Sequence, residues 1–171
     1  MKDKKIRLGI LGVGYVGNGV GRGGSLIGVA EKAGAEVVAI CDNQETHLRF
    51  CKEHCFGDRA VGLYTDFDAF IQHDMDAVLL CNYFSEHVPF AIAAMRAGKH
   101  VLCETTSNIT LSDGSMLCKV KEETGMIFGL LEAFTAAYLS SVYRDLITFT
   151  VLAIFMLALP TGLFKEDVAE H

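Results

Sequence analysis

The sequence predicts an α/β doubly wound sheet of parallel strands, and three observations carry that prediction. Short apolar runs alternate with longer segments of helical period, the first run ends in glycines, and the second ends in a carboxylate. The runs are Lys5 to Leu11, Ala35 to Cys41, Ala77 to Cys81, His100 to Cys103 and Met126 to Leu131. Each is rich in Val, Ile or Leu and does not alternate with polar residues, the pattern of strands buried on both faces of a parallel sheet. Between them, helices are expected from about Tyr15 to Ala33, then over Thr46 to Cys55, Glu86 to Ala97 and Leu111 to Thr124. In the third, Val88, Ile92 and Met95 recur at helical spacing, and Gly98 stands where a C-terminal cap belongs. Such alternation closes into a sheet through right-handed crossovers. The segment from Gly17 to Gly24 fits a helix poorly, since each glycine costs up to about 1 kcal/mol against alanine. Either the helix is interrupted there or part of the segment is an insertion.

Composition narrows the class. The chain has 171 residues, enough for one domain with a short appendage; 51% are apolar and 21% charged, the balance of a packed globular protein. A formal charge of -6 argues against nucleic acid as the main partner, because phosphate binding needs a basic face. Met1-Lys2-Asp3-Lys4-Lys5 is followed by no long apolar segment, so the N-terminus does not read as a signal peptide. Several of the six cysteines fall inside apolar runs, as in Ala39-Ile40-Cys41 and Leu79-Leu80-Cys81. There they are expected to act as small buried hydrophobes, in a reducing cytoplasm.

The chemistry is expected at the end of the first run. It leads directly into Gly12-Val13-Gly14-Tyr15-Val16-Gly17, a G-x-G-x-x-G phosphate loop. Gly12 would permit the tight turn, and Gly14 would let the backbone approach a pyrophosphate. Gly17 would let the following helix pack close to the strand, aiming its N-terminus at the phosphates. With a strand before the loop and a second strand ending in Asp42, this is the pattern of an NAD(P)-binding Rossmann fold. A carboxylate at Asp42 would accept hydrogen bonds from the adenosine ribose and repel a 2′-phosphate, favouring NAD over NADP. Asp42 lies beyond the roughly 20-residue offset usual for that ligand, an excess that an insertion among the glycines would explain. The plainer reading of Asp42 is a solvated turn residue.

Asp76-Ala77-Val78-Leu79-Leu80-Cys81, then His87, then Ala97-Gly98-Lys99-His100-Val101-Leu102-Cys103-Glu104 resembles the Gfo/Idh/MocA oxidoreductases. The resemblance covers about Lys5 to Phe134, and the run from Ala97 to Glu104 is its most specific part. It implies an N-terminal Rossmann domain that binds NAD or NADP, and a C-terminal α/β domain that holds a sugar, polyol or similar small molecule. It further implies that Asn82 and Tyr83 line the cofactor groove, that His87 lies near it, and that Glu104 lies near the nicotinamide ribose. The plainer alternatives are a helix-start histidine and a loop carboxylate.

Two departures matter. Where the family pattern has Lys-Pro after the glutamate, this sequence has Thr105-Thr106, and threonine supplies neither a cation nor a tunable base. Nothing after Phe134 resembles the substrate domain, so residues 1–134 are expected to form the dinucleotide-binding domain and 135–171 a divergent tail. The abrupt end of the resemblance favours a truncated or frame-disrupted family member. From Leu146 to Leu159 the tail is apolar and uncharged, shorter than the roughly 20 residues of a membrane span. A packed helix or strand, a tail anchor and a lost reading frame all remain open for it. Cys51-Lys52-Glu53-His54-Cys55, with His47 upstream, offers soft ligands without a second pair at zinc spacing, and is expected to be a surface helix. Two functions compete: the nucleotide-binding half of an oxidoreductase that acts on a sugar, polyol or related substrate, and a non-catalytic dinucleotide-binding module or sensor, membrane-associated if the tail anchors it. A homo-oligomer is compatible with either.

Overall fold

A computed structural model describes residues 5–17 and 19–130. Strand β1 (Ile6–Leu11) opens the fold and is followed by a short antiparallel ribbon, β2 (Tyr15–Val16) and β3 (Gly19–Val20). Then come α1 (Arg22–Lys32), β4 (Ala35–Cys41), α2 (Glu45–Cys51) and a π-helical turn at Lys52–Phe56. After these lie β5 (Gly62–Tyr64), α3 (Phe67–Ile71), β6 (Ala77–Leu80), a 3-10 turn at Phe84–Glu86 and α4 (His87–Arg96). Strand β7 (His100–Cys103), α5 (Leu111–Thr124) and β8 (Phe128–Leu130) complete the described chain. Six strands form one parallel sheet in the order β5-β4-β1-β6-β7-β8, the expected doubly wound Rossmann arrangement.

The apolar runs become strands because their side chains are enclosed. Ile10, Ile40, Val78 and Leu80 are fully buried on the central strands β1, β4 and β6, and Phe70 and Met95 close over the sheet from α3 and α4. Burial of each large apolar side chain contributes about 1.5–3 kcal/mol. Gly9 makes room for this packing: a Cβ there would lie 2.3 Å from Met75 Sδ and 2.7 Å from Phe70 Cζ. Cys41 and Cys103 are buried at the ends of their strands, and burial pushes both thiols up to about 12, so they stay neutral as the apolar context predicts.

Several expected elements change. The helix expected from Tyr15 begins only at Arg22, because the glycine-rich segment forms the β2–β3 ribbon first. The second helix runs Glu45–Cys51 and then widens into the π turn, and it is not a surface helix throughout, since Cys51 and Phe56 are buried. Strand β5 and helix α3 were not expected at all. Gly98 and Gly125 both have positive φ, 75° and 68°, just beyond the ends of α4 and α5. By contacts the chain divides into Met1–Leu131 and Glu132–His171. The expected boundary at 134, the tail 135–171 and its apolar stretch Leu146 to Leu159 lie outside the described residues.

Helix α5 starts with a capping box: Thr110 Oγ1 accepts from the Asp113 N–H at 3.1 Å, and the Asp113 carboxylate accepts from the Thr110 N–H at 3.3 Å. Thr110→Ala is expected to lower stability by about 1 kcal/mol, read as a lower urea midpoint at unchanged slope.

Candidate cofactor groove

The register brings four loops to one edge. Leu11 pairs with Cys41 on one side and Leu80 on the other, and Leu80 pairs with Cys103. The next residue of each strand extends the ladder: Gly12 N–H donates to Cys41 O at 2.8 Å, Cys81 N–H to Leu11 O at 2.8 Å, and Glu104 N–H to Leu80 O at 3.0 Å. Gly12, Asp42, Cys81 and Glu104 therefore stand side by side at the carboxyl ends of the central strands. There the strand order reverses direction around β1, the place where open α/β sheets bind ligands. A cavity of about 480 Å³ opens at this edge, walled by Gly12, Gly14, Tyr15, Val16, Gly21, Arg22, Asp42, His47, Asn82 and Tyr83 among others.

Gly12 needs its missing side chain twice over. Its φ is +85°, and a Cβ would lie 2.6 Å from the Asn82 backbone nitrogen. Gly14 lies at the base of the ribbon, where Gly21 N–H donates to Gly14 O at 3.1 Å and closes it. The role expected of Gly17 falls elsewhere. Gly17 follows β2 within the ribbon connection, with nothing within 4 Å of a built Cβ, and it is not part of the cavity wall. The glycine that lets the helix approach the strand is Gly23, whose Cβ would lie 2.3 Å from Gly12 O and 3.0 Å from Ile10 Cγ2. The ribbon thus lies within the loop, Gly21 is the N-cap of α1, and the expected spacing between Gly14 and Gly17 coincides with the first half of that ribbon. Gly21, Arg22 and Gly23 are the loop residues that sequence reasoning passed over. Their signal was the glycine run itself.

Asp42 is not a solvated turn residue. It is 6% exposed, and its carboxylate fixes the loop: Oδ2 accepts from the Gly14 N–H at 2.8 Å, and Oδ1 accepts from the Gln44 N–H at 3.0 Å and faces His47 Nδ1 at 3.0 Å. A carboxylate offers about four acceptor positions, so capacity remains for a ligand hydroxyl at the cavity. Tyr15 lies over the His47 ring, with centroids 6.1 Å apart, and meets Phe50 edge-on at 5.0 Å.

Across the groove, Arg22 Nη2 donates to Glu104 Oε1 at 2.7 Å. The hydrogen bond to Glu104 raises the guanidinium above its usual range and keeps it charged. Arg22 is the one lysine or arginine in the cavity wall among the described residues. Glu104 itself is not part of that wall. Cys81 lies close to this pair, and burial pushes its thiol up, with the neighbouring Glu104 carboxylate adding to the shift. Asn82 and Tyr83 are in the wall, and Asn82 Oδ1 is a buried acceptor without a hydrogen-bond partner. His87 is not in the wall. It is 1% exposed, with Nδ1 2.8 Å from Thr106 O and Nε2 3.1 Å from Asn82 O, so its ring supports the two loops from below.

Residues 6–131 match the family profile described as an oxidoreductase family with an NAD-binding Rossmann fold, Gfo/Idh/MocA. The chain belongs to the Gfo/Idh/MocA oxidoreductase family. A glycosyl hydrolase family 109 protein of Stenotrophomonas maltophilia is 31% identical over 140 residues, 77% of this chain and 30% of that protein. A myo-inositol 2-dehydrogenase of Thermotoga maritima is 29% identical over 123 residues, 71% of this chain and 34% of that enzyme. The fold is also that of scyllo-inositol dehydrogenase from Lactobacillus casei, solved with bound NAD(H) and scyllo-inositol. The two share a TM-score of 0.67 at 22% identity, over 89% of this chain and 42% of the other. The chain therefore spans about a third of the length of the curated Gfo/Idh/MocA relatives it matches. A stretch of 46 residues, 27% of the chain, is 44% identical to the high-affinity branched-chain amino acid transport system permease protein LivH of Escherichia coli and covers 15% of that protein. No helix among the described residues is long and apolar enough to cross a membrane.

Proposed function

We propose that the groove binds NAD in preference to NADP and presents it for hydride exchange with a sugar, polyol or related small molecule. The observation that carries this reading is Asp42, a carboxylate held in the cavity wall at the end of β4, where it meets the adenosine ribose of a dinucleotide lying across the strand ends. The wall fits the rest of the cofactor. Gly12 and Gly14 leave the backbone bare, Arg22 supplies a positive charge for the pyrophosphate, and the unpartnered Asn82 Oδ1 offers an acceptor to a ligand N–H or O–H. In this reading Tyr15, Val16 and Tyr83 cover the ligand, while His87 and Glu104 act on it through Asn82 and Arg22. When bound, the nicotinamide supplies the hydride chemistry, and the protein supplies position and charge. The NAD(H) and inositol named for the structural relative, and the inositol named for the Thermotoga enzyme, support the choice of ligand classes.

Calorimetric titration of the full chain tests the cofactor. NAD is expected to bind saturably and NADP more weakly; no saturable binding of either would sink the proposal. One residue favours a second reading, binding without turnover: Thr105 stands where the resemblance expects the substrate-positioning lysine. NADH formation from a panel of polyols and sugars by this chain alone would reject that second reading.

A further inference from the structure

His47 shares the carboxylate of Asp42 and also lines the cavity. We propose that His47 reads the 2′-oxygen of the adenosine ribose and makes the choice between NAD and NADP depend on pH. The inference rests on the groove being a dinucleotide site.

The argument is one of tautomers. The Asp42 carboxylate only accepts, so at 3.0 Å the Nδ1 of His47 must carry the proton and donate it to Oδ1. In the neutral form of the ring this tautomer leaves Nε2 as a bare acceptor. A bare acceptor pairs with a 2′-hydroxyl, which NAD has, and opposes a 2′-phosphate, which only accepts. Protonation reverses both preferences. Nε2 becomes a donor suited to a phosphate oxygen, and the imidazolium offsets the charge of Asp42 that otherwise repels it.

Its surroundings hold the ring for this role. Tyr15 of the ribbon stacks on it at an interplanar angle of 18°, and the His47 side chain is 29% exposed. The titratable or charged groups around it are Asp42 at the end of β4, Tyr15 on β2 and, on its own helix, Glu45 and Arg49, which pair with each other at 2.6 Å. Asp42 is thus the charge that addresses the ring directly. The ribbon supplies the cover of the ring, through Tyr15 on β2.

The test is the ratio of NADP to NAD dissociation constants for the full chain, by calorimetry, at about pH 5.5 and about pH 8.5, either side of the range in which an imidazole changes charge. Wild type, His47→Gln and His47→Phe are compared. The 2′-phosphate titrates as well, near pH 6 by analogy with phosphorylated side chains, but equally for all three proteins. In wild type the ratio is expected to fall on acidification by about tenfold more than in either variant. A variant ratio that tracks the wild type overturns the role of His47 while leaving the dinucleotide reading intact. Failure of the wild type to bind NAD at either pH overturns both.

Discussion

Gly23→Ala is expected to cost about 3 kcal/mol of stability and to weaken NAD binding at least about tenfold. Two effects oppose each other at this position. Alanine favours a helix over glycine by up to about 1 kcal/mol, and Gly23 is the second residue of α1. Against that, its Cβ would lie 2.3 Å from Gly12 O and 3.0 Å from Gly12 C, backbone atoms of a loop already tied to Cys41 O. Neither can yield cheaply, so overpacking prevails and moves α1 away from the strand end, taking Arg22 and Gly21 with it. Gly28→Ala isolates the propensity term, since its helix site is open, with nothing within 4 Å, and it is expected to stabilise by up to about 1 kcal/mol. Gly17→Ala isolates the left-handed backbone: at φ +59° with free space around it, it is expected to cost only about 1 kcal/mol and to leave NAD affinity near wild type. Urea midpoints and NAD titrations of the three variants decide the matter. A Gly17→Ala variant more damaged than Gly23→Ala would return the close-packing role to Gly17.

That contrast also shows what the sequence could tell. Strands β4 and β7 and helix α5 lie where the residues placed them, because continuous apolar runs and a capped, glycine-ended helix carry their own boundaries. The phosphate loop was legible as a loop but not in its detail. Gly12, Gly14 and Gly17 have the right spacing by sequence, and spacing alone does not distinguish a helix start from a six-residue ribbon that happens to contain a glycine. The better signal was the distance from Gly12 to Asp42, too long by about the length of that ribbon. Strand β5 was illegible for another reason. It is three residues at the sheet edge with one neighbour, and its Leu63 is 42% exposed, so no apolar run marks it. His87, expected near the groove, is buried with both ring nitrogens against backbone carbonyls, contacts that no side-chain pattern reveals. Arg22 and Glu104, 82 positions apart, meet only because the register of β1, β6 and β7 aligns their strand ends.

Asp42 is the residue whose replacement is expected to change both stability and cofactor choice. Its two carboxylate oxygens hold the Gly14 and Gln44 N–H groups and the His47 ring, at 2.8, 3.0 and 3.0 Å. Asp42→Ala leaves two backbone donors without their acceptor, at about 1–3 kcal/mol for each one kept from water. Water entering the widened cavity offsets part of that, and a net loss of about 3 kcal/mol is expected. Asp42→Asn separates charge from shape. It keeps one acceptor for the loop, so the fold survives with a smaller loss, but it removes the negative charge facing the 2′-position. Two unit charges about 5 Å apart at an effective dielectric near 20 interact by about 3 kcal/mol, and salt reduces this to about 2 kcal/mol. The ratio of NADP to NAD dissociation constants at neutral pH is therefore expected to fall about thirtyfold in Asp42→Asn, most of it through tighter NADP binding. If the ratio does not move while the variant remains folded, Asp42 serves only to fix the loop, and the preference for NAD must come from another part of the groove.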